Sequence, residues 1–342
     1  YLFGEDAGNK FFAYRPSMIP NKDLGWEISR TANFGVDFGL WNNRISGYIE
    51  GYITKTSDLL MERTLPFFTG FSKVWQNIGK TENKGIELNI QANTLKTKSF
   101  SWETTVTFAR NWNKITELLG GGDIRNNSWF IGKPLQVHYN YEMIGVWQLG
   151  EEKEAQKYGA IPGDIKVKDQ NNDGSIGELD KVILGQKDPK ITASLLNSFR
   201  FGAFDASINL NMNFGSLIHP NTYASLITRD GLRWMPSNFK YWTPDNPTNE
   251  YTRADKLSGY DPFAGTGGYM KGDYIKIQDI TLGYDFSKIM PKNWKILRAR
   301  LYAQVRNLGY IYKACKNDVS PEAPDFDYNI PTTYTMGINI DF

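Results

Sequence analysis

The sequence has no long hydrophobic run. Its longest unbroken stretch of apolar side chains extends only from Phe11 to Tyr14, whereas a helix that crosses a bilayer needs about 20 apolar residues. A transmembrane helix is therefore excluded. Membrane-spanning strands are not excluded, because each needs only about 9 to 11 residues with apolar side chains at alternate positions. A mean hydropathy of −0.47 is compatible with such strands.

Cysteine, histidine and net charge are also scarce. Cys315 is the single cysteine, so the chain cannot form an intramolecular disulfide. His138 and His219 are the only imidazoles, and neither lies in a recognisable nucleophile motif. The 39 basic and 37 acidic side chains leave a net charge of +2, which gives no reason to expect a nucleic-acid partner. No set of residues supports catalysis, and we expect no enzymatic activity.

Aromatic residues and alternating strands are abundant. The chain has 19 Tyr, 20 Phe and 10 Trp, a content that suits the aromatic girdles of a membrane barrel and also suits carbohydrate-binding surfaces. The last nine residues show the alternation most clearly, with large apolar side chains at every second position from Tyr334 to Phe342 and polar residues or glycine between them. One face of this strand is therefore apolar and the other polar. An outer-membrane barrel strand has this pattern, because it faces lipid on one side and the lumen on the other.

The same alternation predicts nine strands. They are expected at residues 26–40, 45–56, 86–93, 100–109, 191–201, 206–214, 274–286, 297–307 and 334–342. Their connections are alternately short and long, as expected when one barrel rim is periplasmic and the other extracellular. A soluble β-sandwich or propeller would also give short strands, but has little reason to separate long from short connections. With the short turns in the periplasm, the C-terminus lies there too.

The remaining segments are predicted to be irregular. They are residues 1–25, a loop of about two dozen residues after residue 56, and the long segments 113–190 and 216–272, with one hairpin near 137–148. Bacterial single-chain barrels have even strand numbers, so nine strands indicate part of a larger barrel. Residue 1 is Tyr with no leader after it, and we expect the chain to continue upstream. The predicted fold class is all-β: residues 1–342 form the C-terminal part of one transmembrane antiparallel β-barrel, with both long segments extracellular.

An oxygen-rich loop from Asp169 to Asp180 is the most specific chemical motif. Oxygen-bearing side chains at loop positions 1, 3, 5 and 12, glycine at 6 and an aliphatic residue at 8 match a calcium-binding loop. The predicted ligands are Asp169, Asn171, Asp173, Ser175 and Asp180. Asp180 stands where Glu is usual, and its shorter side chain is expected to weaken binding. The alternative is a series of Asx turns without an ion. We expect a structural Ca²⁺ in a loop that follows a strand rather than a helix.

Aromatic residues in the long connections form the second predicted site. Aromatic planes pack against the apolar C–H faces of sugar rings, while neighbouring polar groups bind hydroxyls. The residues selected for oligosaccharide binding are Trp129, Trp234, Tyr241 and Trp242. Each of them could instead belong to the core of a loop or to a contact with a partner protein.

Several short motifs resemble one known family. They are Asn77-Ile78-Gly79-Lys80, Asn83-Lys84-Gly85-Ile86-Glu87, Pro162-Gly163-Asp164-Ile165, Tyr241-Trp242-Thr243-Pro244-Asp245-Asn246-Pro247, Asp273-Tyr274-Ile275-Lys276-Ile277-Gln278-Asp279-Ile280-Thr281-Leu282-Gly283-Tyr284 and Arg306-Asn307-Leu308. In combination they are similar to the C-terminal part of the SusC/RagA family of TonB-dependent outer-membrane transporters. The resemblance covers nearly the whole chain.

The resemblance implies a barrel of about 22 strands with an N-terminal plug that is absent from this sequence. It also implies contact with TonB through the missing region and with a SusD-like surface lipoprotein, in an arrangement that can include a dimer of transporter and lipoprotein pairs. The expected activity is import of an oligosaccharide through the bacterial outer membrane, whose lipid surrounds the barrel. Import of oligopeptides, as in the RagA branch, is the main alternative. A calcium-dependent adhesin or a passive pore is a different class of function that stays open.

Overall fold

The structure is a computed structural model that describes residues 2–6, 9–13, 19–228, 240–253, 263, 265–287, 289–291, 296–316, 319–325 and 330–342. Strands dominate these residues. They are β1 (Leu2–Asp6), β2 (Asn9–Ala13), β3 (Ile28–Leu40), β4 (Ile45–Thr64), β5 (Lys73–Lys96), β6 (Phe100–Leu118), β7 (Val137–Tyr141), β8 (Met143–Val146), β9 (Ile165–Val167), β10 (Lys181–Gln186), β11 (Ile191–Phe201), β12 (Phe204–Phe214), β13 (Leu217–Ile218), β14 (Met270–Lys271), β15 (Tyr274–Asp285), β16 (Arg298–Lys313) and β17 (Thr333–Asp341). Two helices are α1 (Glu152–Lys157) and α2 (Asn221–Thr228). Across the described ranges, no helix is long and apolar enough to cross a membrane.

The main sheet contains nine strands in the order β17-β16-β15-β12-β11-β6-β5-β4-β3. They correspond one by one to the nine strands predicted from alternation, and that prediction is confirmed. Neighbours in the sheet are also neighbours among these strands in sequence, so the sheet is a meander of the kind from which up-and-down barrels are built.

One face of the sheet carries large apolar side chains that are exposed. In the β16–β17 pair, Leu301 lies opposite Ile338 and Ala303 opposite Met336, so apolar side chains share one face. Met336 and Ile338 are exposed although they are large and apolar. A soluble protein rarely exposes a continuous apolar surface of this kind. The pattern indicates strands that face lipid.

Short turns close the hairpins at one end of the strands. Trp41, Asn42 and Asn43 all have positive φ, at 54°, 59° and 60°, and the Arg44 N–H donates to the Trp41 carbonyl at 3.2 Å. Asparagine adopts this left-handed region more readily than most residues. The short connection predicted between the strands at 26–40 and 45–56 is confirmed.

Several strands are longer than alternation predicted. β4 continues to Thr64 and β5 already begins at Lys73, so the predicted loop of two dozen residues is wrong and the connection is only residues 65–72. β6 likewise continues to Leu118. Polar cross-strand pairs replace the apolar alternation in these extensions: Lys73 bonds Glu62 at 2.8 Å and Lys80 bonds Glu117 at 2.7 Å. A search for alternating apolar residues misses such segments.

Two other expectations about irregular segments are wrong. Residues 1–25, predicted as loop, contain the paired strands β1 and β2. The predicted hairpin near 137–148 does not form, because β7 pairs with β10 and β8 pairs with β9. Each of these pairings has a register shift and joins residues distant in sequence. Local periodicity does not report such long-range partners.

Contacts between Cα atoms divide the chain into two compact units. Unit 1 contains Tyr1–Phe34, Gly51–Gly85 and Trp112–Gln136, and unit 2 contains Gly35–Glu50, Ile86–Asn111 and Val137–Phe342. In unit 1, Ile78, Ile115 and Leu118 are buried. In unit 2, Tyr223, Cys315 and Val319 form a buried cluster against which Ile218 and Met270 pack.

Candidate functional site

The oxygen-rich loop folds around two of its carboxylates. Asp169 Oδ2 accepts the Gly174 N–H at 2.9 Å, while Asp169 Oδ1 is buried without a hydrogen-bond partner among the described residues. The N–H and hydroxyl of Ser175 both donate to Asp173 Oδ1 at 2.8 Å. Hydrogen bonds from Ser175, the hydroxyl first, lower the pKa of Asp173. The Asp173 carboxyl group is therefore suited to remain ionised at neutral pH.

Asp180 connects the two ends of this loop. Its two carboxylate oxygens accept the Gln170 N–H at 2.8 Å and the Gly177 N–H at 2.7 Å, and the residue is buried. Sequence reasoning assigned Asp180 only as a ligand and missed this structural role. Each oxygen retains a second lone pair with which a cation could be bound. Among the described residues, no group of three His, Cys, Asp or Glu side chains is arranged to hold a metal ion.

Trp242, one of the four predicted sugar-binding residues, lies in the core of a loop. It is only 6% exposed, and its indole N–H donates to Gln148 Oε1 at 2.8 Å. Gly163 has a positive φ of 91°, and a Cβ at this position would lie 2.6 Å from the Trp242 ring. The close approach of the ring requires glycine here. Arg253 completes the contact through its bond to Asp164 at 2.9 Å.

The Trp242 contact joins two of the motifs that carry the family resemblance. Pro162-Gly163-Asp164-Ile165 and Tyr241-Trp242-Thr243 meet here, although they are about 80 residues apart in the chain. Both are therefore explained by packing within unit 2. Trp147 and Tyr223 are buried in the same unit.

The other predicted aromatic residues have different surroundings. Tyr241 is partly exposed and packs edge-on against Tyr251, with ring centroids 5.9 Å apart. Trp129, in unit 1, is partly exposed in a tight turn where its backbone pairs with Ile124. Trp234 lies outside the described residues. Tyr241 and Trp129 thus keep accessible ring surface.

A histidine–tyrosine cluster, which the sequence did not single out, lies in the long connections. The rings of His219 and Tyr269 stack at 4.1 Å, and His138 packs against the edge of Tyr269 at 5.1 Å. The Nε2–H of His138 donates to the Leu217 carbonyl at 2.9 Å. Burial lowers the pKa of His138 to about 4, with smaller contributions from Lys187 and His219. Both imidazoles act here as neutral packing groups.

A buried ion pair holds the connection between β16 and β17. Lys276 Nζ lies 2.6 Å from Glu322 Oε2, and their side chains are 4% and 21% exposed. The Tyr310 hydroxyl donates to the same carboxylate oxygen at 2.8 Å. Sequence reasoning missed this pair, because Glu322 lies in an irregular segment about 46 residues from Lys276.

Comparisons with known proteins agree with this architecture. The chain is 29% identical to TonB-dependent receptor P3 of Formosa agariphila, over 94% of this chain and 35% of that protein. It is 28% identical to TonB-dependent receptor SusC of Bacteroides thetaiotaomicron, over 100% of this chain and 34% of that protein. The chain thus spans about a third of the length of these relatives.

A solved structure of the RagAB peptide transporter has a similar fold, with a TM-score of 0.75 and 22% identity over 95% of this chain and 36% of that one. Residues 3–308 match the family model described as TonB dependent receptor-like, beta-barrel. The resemblance inferred from the short motifs is confirmed. The chain belongs to the family of TonB-dependent receptor-like β-barrels.

Proposed function

We propose that this chain is the barrel portion of a TonB-dependent importer that carries oligosaccharides across the bacterial outer membrane. The family match over residues 3–308 is the observation that supports import. The exposed apolar face of the nine-stranded sheet supports a position in lipid. In this proposal the short turns and the C-terminus are periplasmic, and segments 113–190 and 216–272 are extracellular.

The proposed partners follow from the same family. A SusD-like surface lipoprotein would cover the long connections, and TonB would act through a part of the protein outside this sequence. An assembly of two transporter and lipoprotein pairs is compatible with the proposal. Binding of the oligosaccharide is assigned to aromatic residues in the long connections, of which Trp129 and Tyr241 have accessible ring surface.

Growth of the source bacterium tests both the transport mechanism and the ligand class. A strain that lacks the complete gene should fail to grow on particular oligosaccharides as sole carbon source, and a strain without TonB should show the same defect. Growth on peptide mixtures should be unchanged. A strain with Trp129→Ala and Tyr241→Ala should retain the protein in its outer membrane but take up the oligosaccharide more slowly.

Three outcomes would contradict the proposal. Loss of growth on peptides with normal growth on oligosaccharides would favour an oligopeptide importer. Uptake that persists without TonB would indicate a passive pore. Normal growth on every substrate, combined with loss of surface attachment, would favour an adhesin.

We also propose that the loop from Asp169 to Asp180 binds a structural Ca²⁺. Asp169, Asn171, Asp173, Ser175 and Asp180 are the proposed ligand residues. The buried and unpaired Oδ1 of Asp169 supports the proposal, because a buried carboxylate oxygen without a partner carries an energetic cost that a cation would remove.

Calorimetric titration of the full-length protein with Ca²⁺ tests this site. A variant with Asp169→Ala and Asp173→Ala should lose one binding event that the parent protein has. A control variant with Glu154→Ala and Asp188→Ala, which removes two exposed carboxylates outside the loop, should bind as the parent does. Equal affinity in the parent and the first variant would rule out this loop as the site.

A further inference from the structure

The outer surface of unit 1 carries a cluster of basic side chains where β3, β4, β5 and β6 lie side by side. Ser29 bonds Thr56 at 2.8 Å and Thr31 bonds Thr54 at 2.9 Å, so these hydroxyls share one face of the β3–β4 pair. Side chains alternate between the two faces of a strand. Arg30 and Lys55 therefore lie on the opposite face. That face also carries Phe34, which is 76% exposed, and it is the apolar side of the sheet.

The basic cluster is organised around one acidic residue. Glu82 Oε1 lies 3.2 Å from Nζ of both Lys84 and Lys114, and its Oε2 lies 3.9 Å from Nζ of Lys55. The Glu82 side chain is only 11% exposed, whereas the three lysines are largely exposed. One carboxylate thus holds three ammonium groups together.

The cluster keeps a surplus of positive charge. Arg30 forms no ion pair with any residue that the structure describes, and Glu82 is the one carboxylate that the three lysines share. Four cations and one anion give a net charge of about +3. Lys80 does not add to this surplus, because Glu117 pairs with it at 2.7 Å and Asp58 lies near it.

A groove of about 610 Å³ connects this charge to apolar surface. Arg30, Lys55 and Glu82 line its polar part, and Ala32 and Ile53 line its apolar part. An occupant that fits both parts has an anionic head and an apolar tail. A freely diffusing anion would leave the apolar part uncovered.

The position of the cluster along the strands also fits a membrane surface. Arg30 precedes the short turn at Trp41 by about 11 residues, which is roughly 36 Å along an extended strand. A strand tilted by about 45° rises roughly 26 Å over that distance, and the apolar band of an outer-membrane barrel is about 25 Å tall. If the short turns lie at one edge of the band, this length would place Arg30 at the other edge, at the depth of the lipid headgroups.

We propose that this groove binds the phosphorylated headgroup of a lipid in the leaflet on the long-connection side of the barrel. Arg30 and Lys55, which line the groove, would contact the phosphate, and Lys84 and Lys114 would lie beside it around Glu82. The acyl chains would lie over Ala32 and Ile53. The proposal depends on the barrel fold and not on import, so its failure would leave the proposed function unchanged.

Native mass spectrometry of the full-length protein in neutral detergent tests the proposal, with dioleoylphosphatidic acid as the probe and dioleoylphosphatidylcholine as the neutral lipid. A triple variant with Lys55→Gln, Lys84→Gln and Lys114→Gln should bind phosphatidic acid more weakly by on the order of 100-fold, since each lysine near an anionic headgroup contributes roughly fivefold. A control triple variant, in which three exposed lysines outside the sheet are replaced, should bind as the parent does. The control substitutions are Lys22→Gln, Lys133→Gln and Lys153→Gln.

The single substitution Glu82→Gln should change the affinity for phosphatidic acid in the opposite direction. Removal of a like charge about 6 Å from the phosphate should tighten phosphatidic acid binding roughly threefold in a medium with a dielectric constant near that of water. Equal binding of both lipids to the parent, or equal losses in both triple variants, would each overturn the proposal. Complete displacement of the lipid by millimolar inorganic phosphate would do the same, because it would identify a site for free anions.

Discussion

We expect Glu322→Ala to release the connection between β16 and β17. In the folded protein Glu322 Oε2 lies 2.6 Å from Lys276 Nζ, and the lysine side chain is only 4% exposed. The substitution leaves an ammonium group buried without its counter-charge. When the connection opens, water reaches that group, so the open state gains stability relative to the closed one.

The size of the effect follows from burial. Removal of one partner of a buried ion pair costs about 3–5 kcal/mol. Because Glu322 itself retains 21% exposure, we take the lower value of about 3 kcal/mol for the free energy of opening. Backbone amides of residues 319–325 should then exchange with deuterium roughly 150-fold faster in the full-length variant than in the parent.

Two further variants distinguish the effect of burying an ion pair from the effect of removing a charge. Lys181 and Glu178 form an ion pair with the same 2.6 Å distance, but Glu178 is 77% exposed, so Glu178→Ala should change local exchange by less than about 1 kcal/mol. The double variant Lys276→Met with Glu322→Ala removes both charges and should recover much of the lost protection. Similar small effects of Glu322→Ala and Glu178→Ala would refute the reasoning, as would a double variant that is no better protected than Glu322→Ala.

Two other predictions concern Gly283 and His138. An added Cβ at Gly283 would lie 2.5 Å from Arg300 Nη2 and 2.6 Å from the Asp205 carboxylate, so Gly283→Ala should lower the unfolding temperature measured by heat-dependent gel migration. Gly25→Ala is the control and should leave that temperature unchanged, because open space surrounds Gly25. Equal unfolding temperatures for the two variants would contradict this prediction. Burial lowers the pKa of His138 from 6.5 to about 4, so an unfolded segment binds a proton at higher pH than the folded one. Stability of the β7–β10 pair should therefore fall as pH drops from 6.5 to 4. Deuterium exchange of the backbone amides in this pair should depend less on pH in His138→Gln than in the parent protein. Identical pH profiles of exchange in the two proteins would show that His138 does not cause the loss of stability.

The sequence predicts the lipid-facing strands well because one physical requirement dominates them. Lipid on one face and a polar lumen on the other impose alternation over each strand, which is visible without knowledge of any partner strand. In β17, for example, Tyr334, Met336 and Ile338 mark the apolar face directly. The number of strands and the positions of the short turns follow from the same signal.

Beyond the apolar band, strands no longer need an apolar face toward lipid. Alternation of apolar residues therefore does not predict the strands in that region. β4, β5 and β6 continue as polar ladders whose stability comes from cross-strand pairs such as Lys80 with Glu117. β7 pairs with β10 across some 40 residues. A pattern confined to one segment contains no information about such partners, so the long connections look irregular in the sequence.

Residue type alone also does not distinguish surface from core among the aromatics. Trp41 is 70% exposed beside a short turn, whereas Trp242 is 6% exposed and donates its N–H to Gln148. A tryptophan in an alternating strand can be assigned to a face by its position in the period. In a long connection no period exists, and only the partner of the indole N–H shows whether the ring is buried.

Net charge illustrates the same limit for electrostatics. The whole chain carries +2, which gave no reason to expect a nucleic-acid partner. Yet strand pairing brings Arg30, Lys55, Lys84 and Lys114 together with a single carboxylate, that of Glu82. Their surplus of about +3 is larger than the net charge of the entire chain, so negative charge must predominate elsewhere. An anionic ligand responds to the potential at its own position, which depends on the register of four strands and not on the total.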